Sequence, residues 1–232
     1  MANFLLIHGA SHGAWCWAKL QPLLATMGHR VHAIDLPGHG ADPTPRDQVT
    51  MGDYVDRVIE NLSPNTILVG HSFGGFPITL AAARAPEMVR KLVYLCALLP
   101  RPGRAFTAFR SDAISAELSA AQSVDRNAGV THPIPEMAGP VFYSSCTDAD
   151  RDWALAQLTP QPIAVMTEVL EFTPPETERH YIRCLKDRVI YPAFQKAISA
   201  DWPDVHDMDT DHSPFLSDPE SLARLLDTIA TN

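Results

Sequence analysis

The run Gly70-His71-Ser72-Phe73-Gly74 narrows the folds open to this chain more than any other stretch. Apolar, β-branched residues 66–69 precede it, and the small-residue pattern of residues 75–83 follows. The order reads as strand, sharp turn, helix. A turn this tight brings neighbouring backbone close. Glycine two places before and two places after the serine removes the Cβ atoms that would collide. The serine hydroxyl is then lifted clear of the sheet, beside the first N–H groups of the following helix. That is where a nucleophile with a nearby anion-stabilising site belongs.

The same rhythm runs through most of the chain. Apolar runs at residues 4–7, 31–36, 66–69, 89–98 and 180–185, and a weaker one at 204–208, each end in turn residues and read as strands. Helical spacing fills the gaps. It covers residues 15–27 through Trp17, Leu20, Leu24 and Met27, and residues 51–62 through Tyr54, Val55, Val58, Ile59 and Leu62. Residues 73–85, 191–200 and 214–230 complete the set. Strand alternating with helix implies a parallel sheet with helices on both faces and right-handed crossovers. Ligands bind such sheets at the carboxyl ends of the strands.

Residues 101–175 break the rhythm. Prolines crowd this region, and short helical patterns at 111–123, 148–158 and 163–170 suggest a mostly helical insertion between two sheet strands. The expected layout is a core of residues 1–100 and 176–232 carrying a lid of residues 101–175. The 232 residues suit one domain, and a hydrophobic fraction of 46% supplies its core.

The net charge of −9, with no basic cluster, argues against nucleic acid and anionic membrane as partners and leaves a small molecule. A homodimer stays open. No apolar stretch approaches the roughly 20 residues that span a bilayer. The N-terminus has no basic region or cleavage site of a signal sequence. Cys16, Cys96, Cys146 and Cys184 are spread without a CxxC pair, as expected of reduced thiols in a cytoplasmic protein without a metal site.

A serine hydroxyl attacks poorly at neutral pH unless a histidine takes its proton and a carboxylate orients that histidine. On doubly wound sheets the acid and then the histidine follow the serine along the chain. His212 fits as the base. It follows the last strand in Asp211-His212-Ser213-Pro214-Phe215, and Pro214 suits an early helical position that ends the loop. His8 and His12 precede the serine, His132 lacks a strand-end context, and His206 falls within a strand. Asp187 closes the preceding strand and is the expected acid. Asp201, Asp204, Asp207, Asp209 and Asp211 read as a solvated acidic loop. An acyl-transfer oxyanion needs two N–H donors, expected from Phe73 and, in the loop after the first strand, Ala10.

These segments resemble the α/β-hydrolase superfamily, and more narrowly the plant methylesterase and hydroxynitrile lyase family with its bacterial esterase relatives. The matching stretches are His8-Gly9-Ala10-Ser11-His12-Gly13-Ala14-Trp15, Gly28-His29-Arg30-Val31, Ile67-Leu68-Val69-Gly70-His71-Ser72-Phe73-Gly74-Gly75, Lys186-Asp187 through Pro192-Ala193-Phe194-Gln195, and Asp211-His212. The resemblance implies an α/β-hydrolase fold with a six-stranded, mostly parallel sheet, a lid over the site, and no cofactor. It also carries the catalytic triad onto Ser72, Asp187 and His212. Cyanohydrin-cleaving members of the family carry threonine after the first-strand histidine and lysine after the catalytic histidine. Gly9 and Ser213 stand at those places here, which favours the esterase branch. Leu36-Pro37-Gly38-His39-Gly40 departs from the plant pattern toward bacterial hydrolases.

The resulting expectation is a serine carboxylic-ester hydrolase for a small, mostly apolar ester. The alternatives are a lyase using the same residues without an acyl-enzyme, and a ligand receptor on a hydrolase scaffold. Ser11 and the lid residues Phe106, Phe109, Met137, Phe142, Trp153 and Met166 are the candidate pocket lining. Trp15 and Trp17 read as packing residues.

Overall fold

Each sheet strand starts within two residues of the start of an apolar run and stops near a turn. The computed structural model describes residues 1–109 and 113–232; the Phe109 side chain and the first residues of the helical pattern at 111–123 lie outside that description. Strands β1 (Asn3–Ile7), β2 (Arg30–Ile34), β3 (Thr66–His71) and β4 (Val89–Leu95) are parallel neighbours, in the order β2-β1-β3-β4. The chain then leaves the sheet. It forms a small antiparallel sheet from β5 (Gln122–Asp125), β6 (Val130–Pro133) and β7 (Gln161–Pro162), and returns as β8 (Glu178–Cys184) and β9 (Val205–Met208). The full order is β2-β1-β3-β4-β8-β9, all parallel. Every residue of β3 is buried, as a central strand covered on both faces requires.

Helices α1 (Leu20–Thr26), α2 (Met51–Glu60) and α3 (Gly75–Arg84) connect the first four strands. A capping box starts α2: the Thr50 hydroxyl accepts the Asp53 N–H, and the Asp53 carboxylate accepts the Thr50 N–H. Two expected helices are each split by a proline. Pro22 can occupy only the first turn of a helix, so α1 starts at Leu20 and residues Ala14–Trp17 form a separate 3-10 turn. Between β4 and β8 come α4 (Ala116–Ala120), α5 (Pro135–Phe142), α6 (Asp148–Leu155) and α7 (Ala164–Thr167), and after β8 comes α8 (Pro192–Ile198). The last expected helix divides into α9 (Pro214–Ser217) and α10 (Pro219–Thr231), because Pro219 cannot continue α9 and Asp218 caps the new start. Helix α1 packs beside α10, and α2 beside α3, as the two layers of cover.

The inserted segment is helical in most of its regular structure, as its spacing predicts. The hairpin β5–β6 and helix α5, which holds Pro140 internally, are absent from the expected elements. Among the described residues, no helix is long and apolar enough to cross a membrane.

Candidate active site

Ser72 opens a short 3-10 turn, Ser72–Gly74, between β3 and α3 with φ at +54°. A non-glycine residue there carries strain of about 1–3 kcal/mol, so its surroundings must hold it. Gly74 lies against β1, where an added Cβ would stand 2.7 Å from the His8 carbonyl oxygen. The Ser72 carbonyl accepts the Leu98 N–H at 3.0 Å. The residue is 8% exposed, open to the cavity above it.

Asp187 sits in the turn after β8 with its carboxylate fully buried. One oxygen accepts the N–H groups of Val189 (2.7 Å) and Ile190 (2.9 Å). The other accepts the Gln195 amide at 2.8 Å and faces His212 Nδ1 at 2.8 Å. The neutral His212 ring therefore carries its proton on Nδ1 and leaves Nε2 as the basic nitrogen. Gln195, fully buried on α8, also accepts the Cys184 N–H and donates to the Ile190 carbonyl, which locks its amide.

The His212 backbone is held as firmly. Its carbonyl accepts from His71 Nε2 at 2.8 Å and from the Cys96 thiol at 3.5 Å. Cys96 ends β4 with φ at +36°, which explains why the strand stops at Leu95. His71, the residue before Ser72, so ties the serine turn directly to the histidine loop. His71, Cys96 and His212 lie close enough to hold a metal ion, yet these hydrogen bonds already engage all three.

Asp211 departs from the expected solvated loop: it is fully buried. Its oxygens accept from the Ser145 N–H (2.7 Å), the Ser213 N–H (3.1 Å) and the Ser217 hydroxyl (2.8 Å). Three groups around the chain demand this carboxylate, and an acidic sequence pattern cannot show that. Asp207 and Asp209 are exposed, paired with Arg183 and Lys186.

The loop after β1 is braced by histidines. His8 donates from Nδ1 to the Gly9 carbonyl and accepts the Leu36 N–H at Nε2. His12 donates from Nδ1 to the Ala10 carbonyl and accepts the Tyr143 hydroxyl at Nε2. Burial pushes His8 down to about 4 and His12 to about 3, and lowers His39 and His71 strongly, so all four are neutral. The Ser11 N–H donates to Gln161 Oε1, and the Ser11 carbonyl accepts the Thr159 N–H, so the inserted segment also holds this loop.

A cavity of about 360 Å³ opens over Ser72 and His212. Ala10 and Phe73 line it, as do Phe106, Phe142 and Met166. Ser11 and Trp153 do not: Ser11 is turned into the loop at φ +63°, and Trp153 lies half-exposed, edge-on to Trp15. Met137 is also exposed away from it. The wall further includes Gln122, Val124, Arg126 and Thr131 from the unforeseen hairpin. His71, Gln161, Gln195 and Asp211 were missed as site-builders. His71 and Asp211 are signalled only by adjoining the serine and the histidine, and the sequence position of Gln161 gives no such signal.

A profile of the alpha/beta hydrolase family matches residues 4–225. Methylesterase 18 of Arabidopsis thaliana is 32% identical over 250 residues, covering 97% of this chain and 95% of that protein. A pheophorbidase of Raphanus sativus is 30% identical, covering 96% and 91%. The solved structure of polyneuridine aldehyde esterase superposes with a TM-score of 0.89 at 26% identity, covering 99% of both chains. A pyrethroid hydrolase from Sphingobium faniae JZ-2 gives 0.84 at 27%, covering 99% of this chain and 97% of the other. The chain belongs to the alpha/beta hydrolase family, as an esterase-type member related to the plant methylesterases.

Proposed function

We propose that the chain is a serine carboxylic-ester hydrolase acting on a small, mostly apolar ester, with Ser72, His212 and Asp187 as its triad. The observation that carries this reading is the buried Asp187–His212 bond of 2.8 Å beside a strained serine in one cavity. His212 Nε2 takes the Ser72 hydroxyl proton as Oγ attacks the ester carbonyl. The N–H groups of Ala10 and Phe73 stabilise the oxyanion, each worth about 3 kcal/mol. The alcohol leaves with the proton from His212. A water then gives its proton to His212 and attacks the acyl-enzyme, and His212 returns that proton to Ser72 Oγ as the acid leaves. Asp187 holds the ring in the required tautomer and stabilises its charged form. Residues 101–175 form the lid, which supplies the apolar side of the cavity.

The lyase alternative has less support. A Cβ at Gly9 would stand 2.8 Å from Ser72 Cβ and 2.9 Å from His71 Nδ1, so no side chain fits where the lyases carry threonine. Ser213, at the place of their lysine, is buried and uncharged.

An active-site organophosphonate should label the protein at Ser72, and Ser72→Ala should abolish labelling and lower methyl-ester hydrolysis by at least about 10³-fold. Unlabelled wild-type protein, or equal labelling of the variant, would remove the reading.

A further inference from the structure

The inserted hairpin lines the cavity with polar residues that have no partner among the described residues. In the β5–β6 pairing Val124 stands opposite Thr131, so their side chains share one face. Alternation places Gln122 on the same face, and Arg126, just past the strand end, continues the row. All four line the cavity over Ser72. Ser123 and Asp125 fall on the other face, and Asp125 is occupied in capping the turn, accepting the N–H groups of Asn127 and Ala128.

Two members of that row lack a protein partner among the described residues, Thr131 with a buried hydroxyl and Arg126 with an exposed guanidinium. Thr131 is 8% exposed, and its hydroxyl has no hydrogen-bond partner. A buried hydroxyl left without a partner is disfavoured, so a ligand atom in the cavity that Thr131 lines would draw the hydroxyl toward it by rotation of the side chain. Arg126 makes no ion pair among the described residues, although the chain carries 27 carboxylate side chains against 18 Lys and Arg. It is also the only Lys or Arg among the described lining residues. Between this row and Ser72 the wall is apolar, through Phe106, Ile114, Leu118, Phe142 and Met166.

Building on the esterase reading, we infer that the natural substrate is a half-ester: a hydrolysable ester at Ser72, an apolar middle, and a distal carboxylate held by Arg126 and Thr131. The guanidinium offers a fork of N–H donors that matches a carboxylate, and the Thr131 hydroxyl donates a further bond. A carboxylate with an ordinary value near 4.3 is ionised at neutral pH, so the pairing is charge-assisted. Because this contact is the same in the ground state and during reaction, it acts on KM more than on kcat.

The test uses monomethyl esters of straight-chain dicarboxylic acids from succinic to sebacic, each against the methyl alkanoate of equal length. The wild-type protein should prefer the half-ester at one chain length by about 10- to 100-fold in kcat/KM. Arg126→Gln should bring that ratio to near one through KM, and Thr131→Val should reduce it severalfold. Equal melting temperatures and equal phosphonate labelling of the variants establish that they are folded. Hydrolysis of the methyl alkanoates without half-ester preference at any length overturns the inference and leaves the esterase reading intact. A preference that survives Arg126→Gln does the same. Absence of both ester hydrolysis and Ser72 labelling removes both.

Discussion

The two walls of the cavity are bonded to different degrees. On the sheet side, Asp187 holds four hydrogen bonds, Asp211 three, and the His212 carbonyl two, all inside the protein. On the inserted side, Thr131 leaves its hydroxyl unpaired and Arg126 has no ion pair among the described residues. The carboxylates and the His212 carbonyl of the first wall are bonded before anything binds, as electrostatic preorganisation of a reaction requires, although His71 Nδ1 and the Ser213 hydroxyl beside them have no partner. The second is completed by what binds. On the proposed function, chemistry and selectivity are divided between the part of the chain that folds as a parallel sheet and the part inserted into it.

The strongest way to break this comparison is to spoil the finished wall by a single atom. Asp187→Asn replaces an oxygen by an NH₂ group where four donors converge. His212 is then steered to the wrong tautomer, and kcat on a neutral methyl ester should fall about 10³–10⁴-fold. A loss of less than about tenfold, measured on protein that melts cooperatively, would show that the bonds around Asp187 are structural and not part of catalysis.

The same division explains what could be read from sequence. The serine turn, Asp187 and His212 lie at strand ends, and strand ends are visible because apolar runs stop at Gly, Pro and Asp. Gln195 and Asp211 were not legible as site-builders. Their roles come from groups that meet only after β8, β9 and the inserted segment are packed. The split of residues 15–27 was available in Pro22, but the apolar spacing of Trp17, Leu20 and Leu24 outweighed it. The hairpin β5–β6 was hidden because Gln122–Asp125 carries a single apolar residue, Val124, in an exposed strand. A half-exposed strand over a ligand cavity needs no apolar alternation.

Acid offers a second, smaller probe, aimed at the histidines that brace the finished wall. His8 and His12 fall to about 4 and about 3 when folded, from about 6.5 when unfolded, because burial excludes their charged forms. Between those values the unfolded chain binds more protons, so stability rises with pH and is lost as pH falls below about 6.5. Each such histidine contributes about 1.4 kcal/mol per pH unit in that window. Urea unfolding from pH 7 to pH 5 should therefore show a steep loss, and His12→Gln, which keeps a donor and an acceptor, should flatten the slope by about one histidine's share. An unchanged slope would mean that the loop around Ala10 admits water or opens before the protein unfolds.

The smallest expected effect belongs to the apolar part of the inserted wall. Met166 lines the cavity from α7, is partly exposed, and packs at the margin of the core. Met166→Ala removes a flexible side chain from space that a substrate's apolar middle would fill. Because the site is already partly open, the change should cost less than the roughly 2–5 kcal/mol of a fully buried methionine. Its main consequence should be a shift toward longer or bulkier esters. Across an ester series the preferred length should move up, with kcat/KM ratios changing by less than about tenfold and phosphonate labelling of Ser72 unchanged. If the variant instead slowed all esters equally, Met166 would act by holding the finished wall, and selectivity would not be separable from chemistry along the line between the two walls.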